Sequence, residues 1–212
     1  MKNSHLTQSR SIFTLWIFTI SGIIGIAIPK SSDWFLSLTP LNLFIVFIVL
    51  LINIKELKKD VLLALIIPFT IGFLAEALGV NYGLVFGKYT YGENLGYKAF
   101  GVPLIICANW TVLTAISSDI AKRITTNTIF IAIIGSVIMT LLDLIIEVSA
   151  PRFDFWEFED GVAPLQNYIG WLVTGFFAQL GYTIFIKVKT DIVISYHILF
   201  STIVFFGIFL VL

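Results

Sequence analysis

Seven apolar stretches set the pattern of this chain: Ile12–Ile28, Phe35–Ile54, Val61–Leu78, Val102–Ile120, Thr128–Ile146, Leu165–Val188 and Ile192–Leu212. A helix crosses the hydrocarbon core of a bilayer with about 17–25 predominantly apolar residues, and each stretch is of that length. The polar linkers between them are short, and no internal repeat or low-complexity tract separates one part from another. The pattern therefore predicts one domain over residues 1–212, an all-α polytopic transmembrane bundle of about seven helices. The first stretch follows Lys2 and Arg10, as the apolar core of a signal peptide would. It runs long and ends in Ile28-Pro29-Lys30 without a small-x-small cleavage site, so a retained helix is expected.

Composition supports the membrane reading. The chain is 58% hydrophobic and only 12% charged, against about half and a quarter in soluble domains. A water-soluble fold of this size cannot hide so much apolar surface. The net charge is zero, which gives no support to nucleic acid as a partner. The lone Cys107 can form no internal disulfide and is expected as a small core residue.

Charge placement orients the bundle. With the N-terminus inside, Lys2, Arg10, Lys55, Lys58, Lys59, Lys122, Arg123, Lys187 and Lys189 fall on the cytoplasmic side, and Lys30, Lys88, Lys98 and Arg152 on the other. This asymmetry predicts the N-terminus in and, after seven crossings, the C-terminus out. A multi-pass protein of a prokaryotic cytoplasmic membrane is expected.

Two outer connections depart from ordinary loops. The segment Gly79–Gly101 holds Gly79, Gly83, Gly87, Gly92, Gly96 and Gly101, interleaved with Tyr82, Phe86, Tyr89, Tyr91, Tyr97 and Phe100. Such rings can form an interfacial belt. The glycines also permit a compact folded cap over the helix ends, with Tyr82, Phe86, Tyr89 or Tyr91 lining a cavity. The segment Ser149–Pro164 interleaves Phe153, Phe155, Trp156 and Phe158 with acids and leads into Gln166-Asn167-Tyr168.

Polar residues inside the apolar stretches cluster beneath these loops. Ser136, Thr140, Asp143 and Glu147 share one helical face, at offsets of 0, 4, 7 and 11. An acidic side chain at the centre of a membrane helix costs about 2.5–3.5 kcal/mol on insertion scales and usually has a function. Asp143 and Glu147 lie one turn apart; their repulsion favours keeping one proton between them, which supplies an acid and a base. Glu76, Asn109, Trp110, Asn167 and Trp171 fall in the same outer half of the bilayer. Each alone could bond neighbouring helices together. The set reads as a site. His197, Gln179 and Tyr182 lie toward the inner side and are expected to be structural; Gly170, Thr174 and Ala178 form a helix-packing stripe, and Pro68 is expected to kink its helix. No nucleotide, phosphate or zinc motif is present.

The stretch Asn81–Pro103, NYGLVFGKYTYGENLGYKAFGVP, resembles a signature of the integral-membrane carotenoid hydratases. A second match runs through Asp143–Glu147, Asp154-Phe155-Trp156 and Pro164-Leu165-Gln166-Asn167-Tyr168-Ile169-Gly170-Trp171. The sequence departs from the family pattern after Glu147, where Val148 stands in place of a frequent proline. The resemblance implies water addition across the terminal double bond of an acyclic carotenoid ψ-end, giving a tertiary alcohol, without a cofactor. An isolated alkene needs a positioned acid to protonate it, aromatic faces to stabilise the tertiary cation and a base to deprotonate the incoming water. Asp143 is deepest and is the candidate acid; Glu147 is the candidate base; Glu76 could take either role. Asn109, Asn167, Trp110, Trp171, Tyr82, Tyr89 and Tyr91 are expected to hold the water or wall the polyene end. The partners expected are a carotenoid within the bilayer, water and other enzymes of carotenoid synthesis. A carotenoid end-group cyclase begins with the same protonation and stays open as an alternative. So does a non-catalytic binder or transporter of a lipid or small solute, although the inverted repeats of an alternating-access carrier are not seen.

Overall fold

The computed structural model describes residues 2–56, 58–186 and 190–212, with side chains from Leu6 onward. Val188, Lys187 and Lys189 lie outside the described residues, and with them two of the charges assigned to the inner side.

Each apolar stretch is helical. The elements run α1 (Lys2–Ala27), α2 (Ser32–Ser37), α3 (Thr39–Ile52), α4 (Lys59–Tyr82), α5 (Leu104–Ala121), α6 (Thr128–Glu147), α7 (Leu165–Phe185) and α8 (Ile192–Ile208). Four of these, α1 from Leu6 onward, α4, α5 and α6, are long and apolar enough to cross a membrane by themselves. The protein is an all-α polytopic membrane bundle. Tertiary contacts set the start of α8 and the end of α3 beside the start of α1. Gln8, near the start of α1, donates to Asp191 at the start of α8 (2.7 Å), and Asn53, at the end of α3, donates to Ser11 (2.8 Å).

Two of the departures from the expected helix limits have a clear local cause. The second stretch is broken into α2 and α3 because Pro40 has no N–H for the carbonyl of Leu36, and the Thr39 hydroxyl takes that acceptor instead (2.7 Å). The helix expected from Val102 starts at Leu104. Val102–Pro103 form a short strand, β3, paired antiparallel with β2, Lys98–Ala99. By contrast α4 runs unbroken through Pro68, with Thr111 of α5 donating to the nearby Leu65 carbonyl (3.1 Å).

Helices α6 and α7 form the most extensive pair, with close approach where side chains vanish. A Cβ on Gly135 would lie 2.4 Å from the Gln179 side chain, and one on Gly175 would lie 3.2 Å from Ser136. Gly170, Thr174 and Ala178 of α7 are buried as well. Trp16 donates to His197 Nδ1 (3.0 Å), tying α1 to α8, and Gln179 donates to the Thr114 carbonyl (3.0 Å), tying α7 to α5.

The two outer connections form one cap. Tyr89–Tyr91 (β1) pairs antiparallel with Trp156–Phe158 (β4), in the register Tyr89↔Phe158, Thr90↔Glu157, Tyr91↔Trp156. Asp154 strengthens the join by accepting from the Glu93 N–H (2.8 Å). Gly92 has to be glycine here, because a Cβ would sit 2.2 Å from the Asp154 carboxylate. The segment expected to be a cap is ordered and folded back, except that Gly79–Tyr82 belong to α4, which Gly83 ends in the left-handed conformation (φ 66°).

Candidate active site under the aromatic cap

Val85 drives one ring inward. It has φ 65°, an uncommon conformation for a β-branched residue, and the flanking Phe86 N–H donates to the Leu84 carbonyl (2.8 Å), closing a γ-turn. The turn presses the Val85 carbonyl onto α7, where a Cβ on Gly170 would be 2.4 Å away. Phe86 is thereby buried below the cap, 6.2 Å between ring centres from both Trp110 and Trp171. Those two indoles stack at 4.3 Å and 15°. Trp110 fits because Gly72 lies behind it; a Cβ there would meet its ring at 2.4 Å.

A cavity of about 450 Å³ lies under this roof. Glu76, Asp143 and Glu147 all line it. Glu76, from the C-terminal part of α4, accepts from three donors: the Tyr89 hydroxyl, the Tyr91 hydroxyl (2.7 Å) and Trp110 Nε1 (2.9 Å). Burial, then the neighbouring Glu76 charge, hold the hydroxyls of Tyr89 and Tyr91 well above the ordinary tyrosine value, so both stay protonated donors. The α6 acids form a separate pair. Asn167 Nδ2 bridges them, donating to Asp143 Oδ2 (2.8 Å) and Glu147 Oε1 (3.1 Å). Trp156 Nε1 donates to Glu147 Oε2 (3.0 Å). Asp143 is 1% exposed, and its Oδ1 is a buried oxygen with no hydrogen-bond partner among the described residues.

The structure brings together nearly all the residues singled out from the sequence. Glu76, Asn109, Trp110, Asp143, Glu147, Asn167, Trp171, Tyr89 and Tyr91 line one cavity. Asn109 differs from Asn167 in that no hydrogen bond to its side-chain amide is found among the described residues. Tyr82 is not part of the site. It is 72% exposed and lines a separate outer groove. Because α4 continues through Tyr82, this residue sits six positions beyond Glu76, which at 3.6 residues per turn turns it well away from the Glu76 face.

Phe86 lines the cavity as expected of the cap, and Trp156 and Phe158 belong to the lining although no site role was assigned to them. The alternation of rings and acids around Trp156 was the available signal. A further buried acid, Asp119 on α5, lies outside the cavity; it accepts from the hydroxyls of Thr190 and Ser195 (2.6 Å) and pins α5 to α8.

A helical membrane bundle with a capped pocket of carboxyl and aromatic groups is the class that fold and site define. The chain belongs to the carotenoid biosynthesis protein family, whose pattern it matches over residues 38–212. It is 31% identical over 132 residues to a bisanhydrobacterioruberin hydratase of Haloarcula japonica, an alignment covering 56% of this chain and 43% of that protein. The chain thus spans less than half the length of that curated relative. No solved structure matches it significantly. Membership of the family places the chain among the proteins of carotenoid biosynthesis.

Proposed function

We propose that this protein hydrates the terminal carbon–carbon double bond of an acyclic carotenoid ψ-end, giving a tertiary alcohol, and that Asp143, Glu147 and Glu76 carry the reaction. The observation behind this reading is the paired α6 carboxyls, bridged by Asn167 and roofed by stacked indoles, with one Asp143 oxygen unpartnered. In this reading Asp143 gives its proton to the CH carbon of the terminal alkene, and the positive charge forms on the dimethyl-substituted carbon. Trp110, Trp171 and Phe86 present ring faces to that cation. Glu76, holding three donors, is the fixed negative charge across the cavity. Water held by Asn109 attacks the cation, and Glu147 takes the surplus proton. Transfer from Glu147 to the adjacent Asp143 restores the starting state, so the sum is one alkene and one water giving one alcohol. No oxidant, reductant or cofactor enters the balance. Tyr89 and Tyr91 hold Glu76 in place. The positive-charge asymmetry supports an outer-leaflet position for this pocket, and the membrane of this reading is a prokaryotic cytoplasmic one.

The test is expression in a lycopene-accumulating host followed by mass analysis of the pigments. Products heavier by one water support hydration. Cyclised pigments of unchanged mass would replace hydration with the cyclase, and unchanged lycopene would refute both.

A further inference from the structure

The cavity extends beyond the carboxyl groups, and its walls change character along the way. At the closed end Glu76, Asp143 and Asn167 are buried, as are Phe86, Tyr89 and Phe158 of the cap. Among the lining residues, those exposed in the isolated chain are Ile17, Phe18, Ser21, Trp34 and Leu41, and every one lies on α1, α2 or α3. Trp34 is 62% exposed. Four of these five side chains are apolar, α1 is long and apolar enough to cross a membrane and α3 is a shorter apolar helix beside it, so this side of the cavity opens toward lipid. Access along the bilayer is the route open to a hydrocarbon.

The volume decides what the opening is for. About 450 Å³ is of the size that encloses a drug-sized ligand, roughly 300–1,000 Å³. A polyene long enough to reach across a hydrocarbon core about 30 Å thick cannot be enclosed in it. One end has to be swallowed while the remainder leaves through the exposed flank. The family match begins at residue 38, so α1 and α2, which carry most of that flank, stand outside it. The family-matched helices hold the reacting groups, and the preceding segment shapes the exit.

We infer that the α1–α3 flank is a lateral portal into the bilayer through which the linear tail of the polyene passes, and that α1 and α2 set which tails fit. This rests on the polyene-hydratase reading of the same cavity. On this arrangement one chain grips one end group at a time, and the other end of the substrate is read only as far as its tail must clear the portal.

The test uses the full-length protein purified in detergent from a lycopene-accumulating host. Ser21→Trp fills the portal from an exposed position, and Ile20→Trp is its control, because Ile20 is exposed on α1 but does not line the cavity. Two quantities are read: bound pigment per protein, and conversion of lycopene and of a ten-carbon isoprenoid alkene with the same terminal group. Ser21→Trp is expected to lower bound lycopene and its conversion at least about tenfold, while conversion of the short alkene stays within about threefold of wild type. Ile20→Trp should change none of these. Equal pigment retention in the two variants would overturn the portal, as would loss of short and long substrates together. A wild-type protein that binds no lycopene overturns it as well. Where wild type binds lycopene without hydrating it and Ser21→Trp strips that pigment, the portal holds and the hydration reading falls.

Discussion

Replacing Asp143 by asparagine separates the proton from everything else this side chain does. The carboxyl accepts from Asn167 at 2.8 Å through Oδ2, and its other oxygen has no hydrogen-bond partner among the described residues. An amide of the same shape keeps an oxygen for Asn167 and turns its NH₂ to the other side, where Glu147 can accept. Packing is conserved and the transferable proton is gone. Loss of a general acid costs about 10²–10⁴-fold in rate, or roughly 3–5 kcal/mol in the barrier at about 1.4 kcal/mol per tenfold. Hydroxylated pigment should therefore fall by at least about a hundredfold, measured by mass in cells and with purified protein in lipid. The thermal midpoint should move by less than about 4 °C, the shift for roughly 1 kcal/mol in a domain of this size. Asp143→Ala is the contrast. It strands Asn167 and Glu147 in a buried site, costing about 1–3 kcal/mol, and should lower the midpoint as well as the product. If Asp143→Asn yields product within about threefold of wild type, the carboxyl is a packing feature and the proposed acid is wrong.

Asn109→Ala should lower product about three- to tenfold with an unchanged thermal midpoint, as loss of one positioning hydrogen bond worth about 1 kcal/mol does; loss of stability instead would make Asn109 structural. Gly72→Ala puts a Cβ 2.4 Å from the Trp110 ring and should destabilise the protein by about 1–3 kcal/mol in thermal unfolding while displacing the indole stack. Burial raises the proton affinity of Tyr89 and Tyr91 in the folded chain, so their contribution to stability is full below about pH 10, the unfolded tyrosine value, and falls as pH climbs above it. Unfolding scans from pH 9 to 11 should show that decline, and Tyr89→Phe with Tyr91→Phe should reduce it. Reporter fusions at Lys98 and Arg152 should score outside and those at Lys59 and Arg123 inside; a cytoplasmic signal at Lys98 would invert the bundle and move the pocket to the inner leaflet.

What the chain determined by itself is the part governed by local periodicity. Seven apolar stretches became helices because in lipid every backbone polar group has to be satisfied within its own segment. The shared face of Ser136, Thr140, Asp143 and Glu147 followed from 3.6 residues per turn, and the glycine–aromatic run marked the cap. Tyr82 was misplaced because the helix end falls at Gly83, and one more turn of α4 rotated that side chain away from the cavity. Only the tertiary structure decided which groups face one another. The pairing of β1 with β4 joins residues some 67 positions apart, and no local pattern reports it. The division of three acids into a triply hydrogen-bonded Glu76 and an Asn167-bridged pair depends on how α4, α5, α6 and α7 rotate against each other. The flank of α1 to α3 was invisible for the same reason: apolar side chains facing lipid and apolar side chains facing a hydrocarbon ligand obey the same preference, and only packing distinguishes the wall of a cavity from the outside of a bundle.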